Sequence, residues 1–158
     1  MKRNDYVTVL VIRQQGETWE LLQAKRCPEK YLGGTWQFIA GGLEPDETAW
    51  EGALRELREE TTLVPREFYR LSTLTRFYRP ENDTLNTSPM FCAIVDASDE
   101  VTINDEHTDF RWVELESAER DLMWPGDRLA RDEVESVIVN NGLAKEFLRI
   151  PLTFGQQK

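Results

Sequence analysis

Three carboxylates stand at helical spacing in this chain: Glu56, Glu59 and Glu60. At about 100° per residue they share an arc of roughly 100° on a helix predicted over Thr48–Thr61, within reach of a common point. Like charges this close destabilise a helix by roughly 0.2–0.5 kcal/mol per pair. Two of the three also lie near the helix C-terminus, the wrong end of the dipole for anions. A bound divalent cation reverses both penalties, so the pattern reads as a hard-metal site. On a helix taken at random, three such glutamates are more often a solvated face. Ala49 and Gly52 fall on the same arc and leave the surface beside the glutamates flat and open. Gly52 also costs roughly 1 kcal/mol against alanine in mid-helix, which suggests close approach of another group.

Composition narrows the metal and the partner. With 29 acidic and 19 basic residues the formal net charge is −10, a field that repels nucleic acid. It also repels free polyphosphates unless cations neutralise part of it. One histidine, His107, excludes a multi-histidine site, and Cys27 and Cys92 form no CxxC pair. Oxygen ligands then favour Mg²⁺, Mn²⁺ or Ca²⁺. The chain has the length of one domain, 158 residues with 40% hydrophobic, and no apolar run near the ~20 residues that cross a bilayer. The N-terminus carries no signal-peptide pattern. The expectation is one cytoplasmic domain over 1–158, a monomer or homodimer, with neither a nucleic-acid nor a membrane partner.

The elements that must position the glutamates are legible in outline. Tyr6–Arg13 is β-branched and apolar, a buried strand, and Trp19–Arg26 returns from a turn at Gln14–Glu17. After a loop with Pro28 and Gly33-Gly34, Trp36–Ile39 is a short strand running into Gly41-Gly42. The helix follows Pro45, with Asp46 or Glu47 placed to cap it, and buries Trp50, Ala53, Leu54, Leu57 and Thr61. Phe68–Tyr78 and Met90–Asp96 read as strands joined by a polar loop from Pro80 to Pro89, and Phe110–Leu115 as a last strand. A second helix is predicted from about Arg128 to Asn140, with Ala130, Val134, Val137 and Ile138 on one face and Gly142 at its end. This order gives a mixed α/β domain of the α+β kind or a sandwich.

From Gly41 the chain reads G-x5-E-x7-R-E-L-x-E-E-x-T-L: Gly41, Glu47, Arg55, Glu56, Leu57, Glu59, Glu60, Thr62, Leu63. This closely resembles the signature box of the Nudix hydrolases of the MutT-like family, whose pattern is G-x5-E-x7-R-E-U-x-E-E-x-G-U with U aliphatic. Eight of the nine defined positions agree. Thr62 departs, standing where the family has glycine. A β-branched residue resists φ > 0, so the helix is expected to exit differently.

The resemblance implies an α/β/α sandwich with a mixed sheet and Mg²⁺-dependent pyrophosphohydrolysis of a nucleotide-like diphosphate. It implies Glu59 and Glu60 as core metal ligands and Glu56 as another ligand or a general base. Arg55 orients the glutamates, with Glu47 its expected partner, and Leu57 and Leu63 are structural. Glu106-His107 ahead of Trp112 resembles a distal element of the family in which the glutamate reaches the metal or the attacking water. A plain polar turn is the other reading of that segment. Gly41, Gly42, Lys25 and Arg26 are candidates for phosphate contact. Phe38 and Tyr78, with Trp36 and Phe77, are candidates for a base-stacking wall, although strand aromatics are more often core. The stretch Trp124–Arg128 adds a weak similarity to the dihydroneopterin triphosphate and dATP pyrophosphatase branch.

Two other functions belong to this fold. A Nudix-fold nucleotide-binding regulatory module without catalysis is expected to have lost box glutamates, and none is lost here. An isomerase of the isopentenyl diphosphate type needs a positioned cysteine, and neither Cys27 nor Cys92 has that context. The substrate itself is not written in the box: a dNTP, a dinucleoside polyphosphate, a nucleotide sugar and dihydroneopterin triphosphate all fit it.

Overall fold

A computed structural model describes residues 2–153, with the side chains of the first four residues left undescribed. Strands β1 (Lys2–Gln15) and β2 (Thr18–Arg26) form the expected hairpin, and β3 (Trp36–Gln37) and β4 (Ile39–Gly42) follow. Helix α1 (Ala49–Thr61) precedes β5 (Glu67–Arg79), β6 (Thr84–Ile94) and β7 (His107–Glu114). A 3-10 segment (Leu115–Asp121), α2 (Pro125–Glu133), a π-helical stretch (Val134–Val139) and a short α3 (Lys145–Leu148) complete the chain.

The sheet is mixed, in the order β3-β2-β1-β6-β5, with β7 added to β2 and β4 to β1. The β1–β6 pair is parallel and the other pairs are antiparallel. The distal half of β1, Ile12–Gln15, pairs with β2, whereas its proximal half, Tyr6–Val9, pairs with β4. β2 therefore parts from β1, and β4 fills the opening with Gly41 opposite Val7.

Alternation along β1 feeds two cores, as a strand buried on both faces requires. Val7, Val9 and Val11 pack with Leu22, Ala24, Ala53, Leu57 and Leu63 under α1. Leu10 and Ile12 pack with Leu21, Phe38, Met90, Ala130, Val134 and Ile138 under α2 and the π-helical stretch. The result is the expected sandwich of helices on both sides of a mixed sheet.

Four local expectations are corrected. Thr48, rather than Asp46 or Glu47, caps α1: its hydroxyl accepts from the Glu51 N–H while the Glu51 carboxylate accepts from the Thr48 N–H, a reciprocal capping box. The second helix starts at Pro125, whose fixed φ and missing donor suit the first turn, and it widens to π winding at Val134. The supposed loop Pro80–Pro89 is mostly strand. β6 begins at Thr84 and buries Thr84, Asn86 and Ser88 on alternate positions. Its inward side is polar there, which hid the strand period from a hydrophobicity reading. Thr62 adopts φ 63° and donates its N–H to the Arg58 carbonyl at 2.8 Å, so α1 ends through a left-handed residue as it does with glycine.

Candidate active site

Helix α1 carries its acids on two different sides of the solvent boundary. Glu60 is fully buried and Glu56 nearly so, while the Glu59 side chain is 55% exposed. The two buried acids are four residues apart and stack on one face. Glu106 comes from the turn before β7, placed there by its N–H to Asn104 Oδ1 and its carbonyl to the Cys27 N–H. Glu56, Glu60 and Glu106 each offer a carboxylate oxygen, and these oxygens all lie within 4.8 Å of one another.

Neither oxygen of Glu60 has a hydrogen-bond partner among the described residues. A buried carboxylate left so is costly. Burial, with Glu106 and Glu56 close by, pushes its pKa up to about 10. Burial also raises Glu56, against the pull of Arg55. Contact with Glu60 holds Glu106 below the usual carboxylate range, with a smaller contribution from the Arg26 charge. An orphaned, buried oxygen pair inside a triangle of acids fits a hard divalent cation, because the ion supplies the positive charge that the protein withholds.

Arg55 fixes one corner of the triangle. Its guanidinium grips Glu47 through two bonds of 2.8 and 2.9 Å and donates to Glu56 at 2.7 Å. It also reaches Glu59 at 3.2 Å and the Gly42 carbonyl at 2.9 Å. The bidentate grip lowers the Glu47 pKa and raises that of Arg55. Such a pair is shorter and stronger than neutral hydrogen bonds. The glycines are steric requirements here. A β-carbon at Gly41 would overlap the Glu56 carboxylate, and one at Gly52 would meet Leu43 Cδ2 and lie 2.9 Å from Glu47 Oε2. The surface at Gly52, expected to be open, is thus covered by the Leu43–Glu47 loop. The cost of a mid-helix glycine reflects that close approach.

The other candidates separate by position. Arg26 lies opposite His107 across β2 and β7, near Glu60 and Glu106. His107 is 5% exposed with Nδ1 unpartnered among the described residues, and burial lowers its pKa. Lys25 lies over the Trp36 ring at 5.8 Å. Phe38 is 4% exposed in the core beneath α2, so it offers no free face for stacking. Tyr78 is exposed and donates to Asp83 at 3.0 Å, opposite Leu85. Leu85 is in turn opposite Arg3, whereas Gly41 is opposite Val7, so Tyr78 stands away from the carboxylates along the sheet. Leu57 and Leu63 are core, as expected.

The family model for the NUDIX domain matches residues 2–133. The chain belongs to the Nudix hydrolase family. Among curated proteins it is 31% identical over 109 residues to the nucleoside triphosphatase NudI of Klebsiella pneumoniae, covering 65% of this chain and 77% of that one. It is 27% identical over 125 residues to the dihydroneopterin triphosphate diphosphatase of Escherichia coli, covering 71% and 80%. A 31% match to an octanoyltransferase of Myxococcus xanthus covers 77% of this chain but only 34% of that longer protein. A NUDIX hydrolase structure from Listeria monocytogenes superposes with a TM-score of 0.71 at 27% identity, over 86% of this Nudix chain and 94% of the other. No helix among the described residues is long and apolar enough to cross a membrane.

Proposed function

We propose that this Nudix hydrolase cleaves a phosphoanhydride bond in a small nucleoside diphosphate-linked or triphosphate-like molecule, with Mg²⁺ as the cofactor and Mn²⁺ able to replace it. The observation that carries the reading is the triangle of Glu56, Glu60 and Glu106, with the Glu60 oxygens buried and unpartnered. These three would hold the cation, and Glu59 would reach it from the solvent edge. When bound, the ion withdraws charge from phosphate oxygens and lowers the pKa of a water molecule. Arg55 keeps Glu56 in place through the geometry above. Glu106 is the proton acceptor we favour for the attacking water: it is less buried than Glu60, contact with Glu60 holds its pKa below the usual carboxylate range, and it comes from the turn before β7 rather than from α1. Glu56 is the next candidate. Arg26, whose charge reaches Glu60 and Glu106, supports a phosphate group.

The test is phosphate release from dNTPs, dinucleoside polyphosphates, nucleotide sugars and dihydroneopterin triphosphate, each with and without inorganic pyrophosphatase and EDTA. Release that requires Mg²⁺ is expected, and dependence on added pyrophosphatase marks pyrophosphate as the leaving product. Glu106→Gln should depress kcat by about 10²-fold with KM little changed, while Asp105→Asn in the same exposed turn should be silent. Hydrolysis that is indifferent to EDTA, or absent from the whole panel, overturns the proposal.

A further inference from the structure

On the α1 side of the sheet, Val7 of β1 and Phe91 of β6 lie in the core. Strand alternation carries that face onward to Asp5 on β1 and to Pro89, Thr87 and Leu85 on β6. Leu74, Arg76 and Tyr78 of β5 lie opposite those three β6 residues and complete a three-stranded ledge. Here the surface opens. Leu74 is 53% and Tyr78 52% exposed, Arg76 and Asp5 are exposed, and Leu85, Thr87 and Pro89 are half-buried. The other side of the same strands buries Thr84, Asn86 and Ser88. A sheet with one wet face ordinarily turns its polar residues outward. This ledge buries two hydroxyls and an amide instead, and exposes Leu74 and Tyr78 beside Leu85 and Pro89. Contiguous apolar surface of this kind marks a contact site.

Two charges flank the apolar group. Thr87 is opposite Arg76 on one side and Asp5 on the other, so each stands one strand spacing, ~5 Å, from it. Neither makes an ion pair or a side-chain hydrogen bond among the described residues. The ledge is thus locally neutral, with one charge of each sign, in a chain whose net charge is −10. Elsewhere on the surface, that charge opposes the association of two copies.

We propose that this ledge is a self-complementary interface joining two copies of the chain, with Arg76 of each copy facing Asp5 of the other. A two-fold contact brings the same patch of both copies together, so that residue i meets j and j meets i. Two sheets packed face to face lie ~10 Å apart, and two axes between them keep the strands aligned. An axis across the strands through Thr87 stacks Arg76 on Arg76 and Asp5 on Asp5. An axis along β6 exchanges the two sides of the ledge. It sets each Arg76 over the partner's Asp5, and each Leu85 and Pro89 over its own counterpart. Charge selects the second axis. The apolar side chains supply the attraction, and the charge pairs fix the register. The ledge spans about 17 Å along β6 and three strands across, near the lower end of specific interfaces, so the dimer should be micromolar rather than obligate.

Sedimentation velocity of the full chain, from about 1 to about 200 µM, tests this without substrate or metal. We expect a monomer–dimer equilibrium within that range. Arg76→Glu and Asp5→Arg should each weaken it at least about 10-fold, and the two together should return it to within about threefold of the wild type. Leu74→Glu should abolish it, with circular dichroism confirming that each variant folds. A chain that stays monomeric at the highest concentration overturns the proposal. So does a dimer that survives Leu74→Glu, because it must use another face, and so does a double variant no tighter than the single ones.

Discussion

Gly41 and the carboxylate of Glu56 occupy adjoining space, so closely that position 41 has no room for a β-carbon. Strand β4 and helix α1 meet at that point, and Arg55 joins them again by donating to both Glu56 and the Gly42 carbonyl. Gly41→Ala should therefore displace the Glu56 side chain. The backbone there is not left-handed, so the added methyl group acts by contact alone. We expect kcat to fall about 10- to 100-fold, the cost of misplacing one group by an ångström or so, with the thermal midpoint lowered by only a few degrees. Unchanged kcat in a folded Gly41→Ala variant contradicts this placement of Glu56.

The box glutamates are unequal, and their variants should be too. Glu60 is the most deeply buried corner of the triangle, while Glu59 faces solvent and is held by Arg55. Glu60→Gln should lower kcat by more than about 10²-fold, roughly 2.7 kcal/mol of barrier. It should also abolish the rise in thermal midpoint that millimolar Mg²⁺ gives the wild type through binding to the native state. Glu59→Gln should keep part of that rise and lose less turnover. Differential scanning fluorimetry with EDTA and with Mg²⁺, beside steady-state kinetics, makes the comparison. A Glu59→Gln variant more damaged than Glu60→Gln on both measures reverses the assignment.

Thr62 holds a left-handed conformation at the end of α1, φ 63°, where a β-branched side chain is a genuine outlier. For a residue with a β-carbon that conformation costs roughly 1–2 kcal/mol. Glycine removes the strain but loses more chain entropy on folding. Thr62→Gly should gain about 1 kcal/mol net, or about 2–4 °C in thermal midpoint for a chain of this size, with kcat unchanged. A lower midpoint would mean that the Thr62 hydroxyl bond to the Thr61 carbonyl outweighs the strain.

That helix end shows what the sequence conveys and what it withholds. Helical spacing and the box pattern locate the acids and the core face of α1, because both follow from 3.6-residue periodicity. They do not reveal that Glu59 turns to solvent, since that depends on which loop covers the helix. Nor do they show that Thr62 is forced into a glycine's conformation by the path into Leu63. The first half of strand β6 escaped for a related reason: Thr84, Asn86 and Ser88 are buried polar residues, and a hydrophobic pattern cannot register them. Only pairing between strands distant in sequence, β1 with β6 and β6 with β5, encloses those residues within the sheet.

Asp127 gives the last prediction, one that needs neither metal nor substrate. Its carboxyl binds a proton with a pKa of about 6 in the folded chain, raised by burial against the opposing charge of Arg128, and with an ordinary value of 3.8 when unfolded. A folded pKa above the unfolded one means that the native state binds the proton more tightly. The favourable contribution is complete below pH 3.8 and is lost as the pH rises through about 6. A shift of about two units corresponds to at most about 3 kcal/mol. Asparagine never ionises, so it escapes this penalty, although it gives up the roughly 0.3–1 kcal/mol that an anion gains in the first turn of a helix. Asp127→Asn should thus raise stability by about 1–2 kcal/mol at pH 7.5, or roughly 2–8 °C in midpoint, and leave it nearly unchanged at pH 4. Thermal melts of the wild type and variant at the two pH values are the measurement. A midpoint at pH 7.5 that is equal or lower in the variant would show that the folded chain already stabilises this carboxylate.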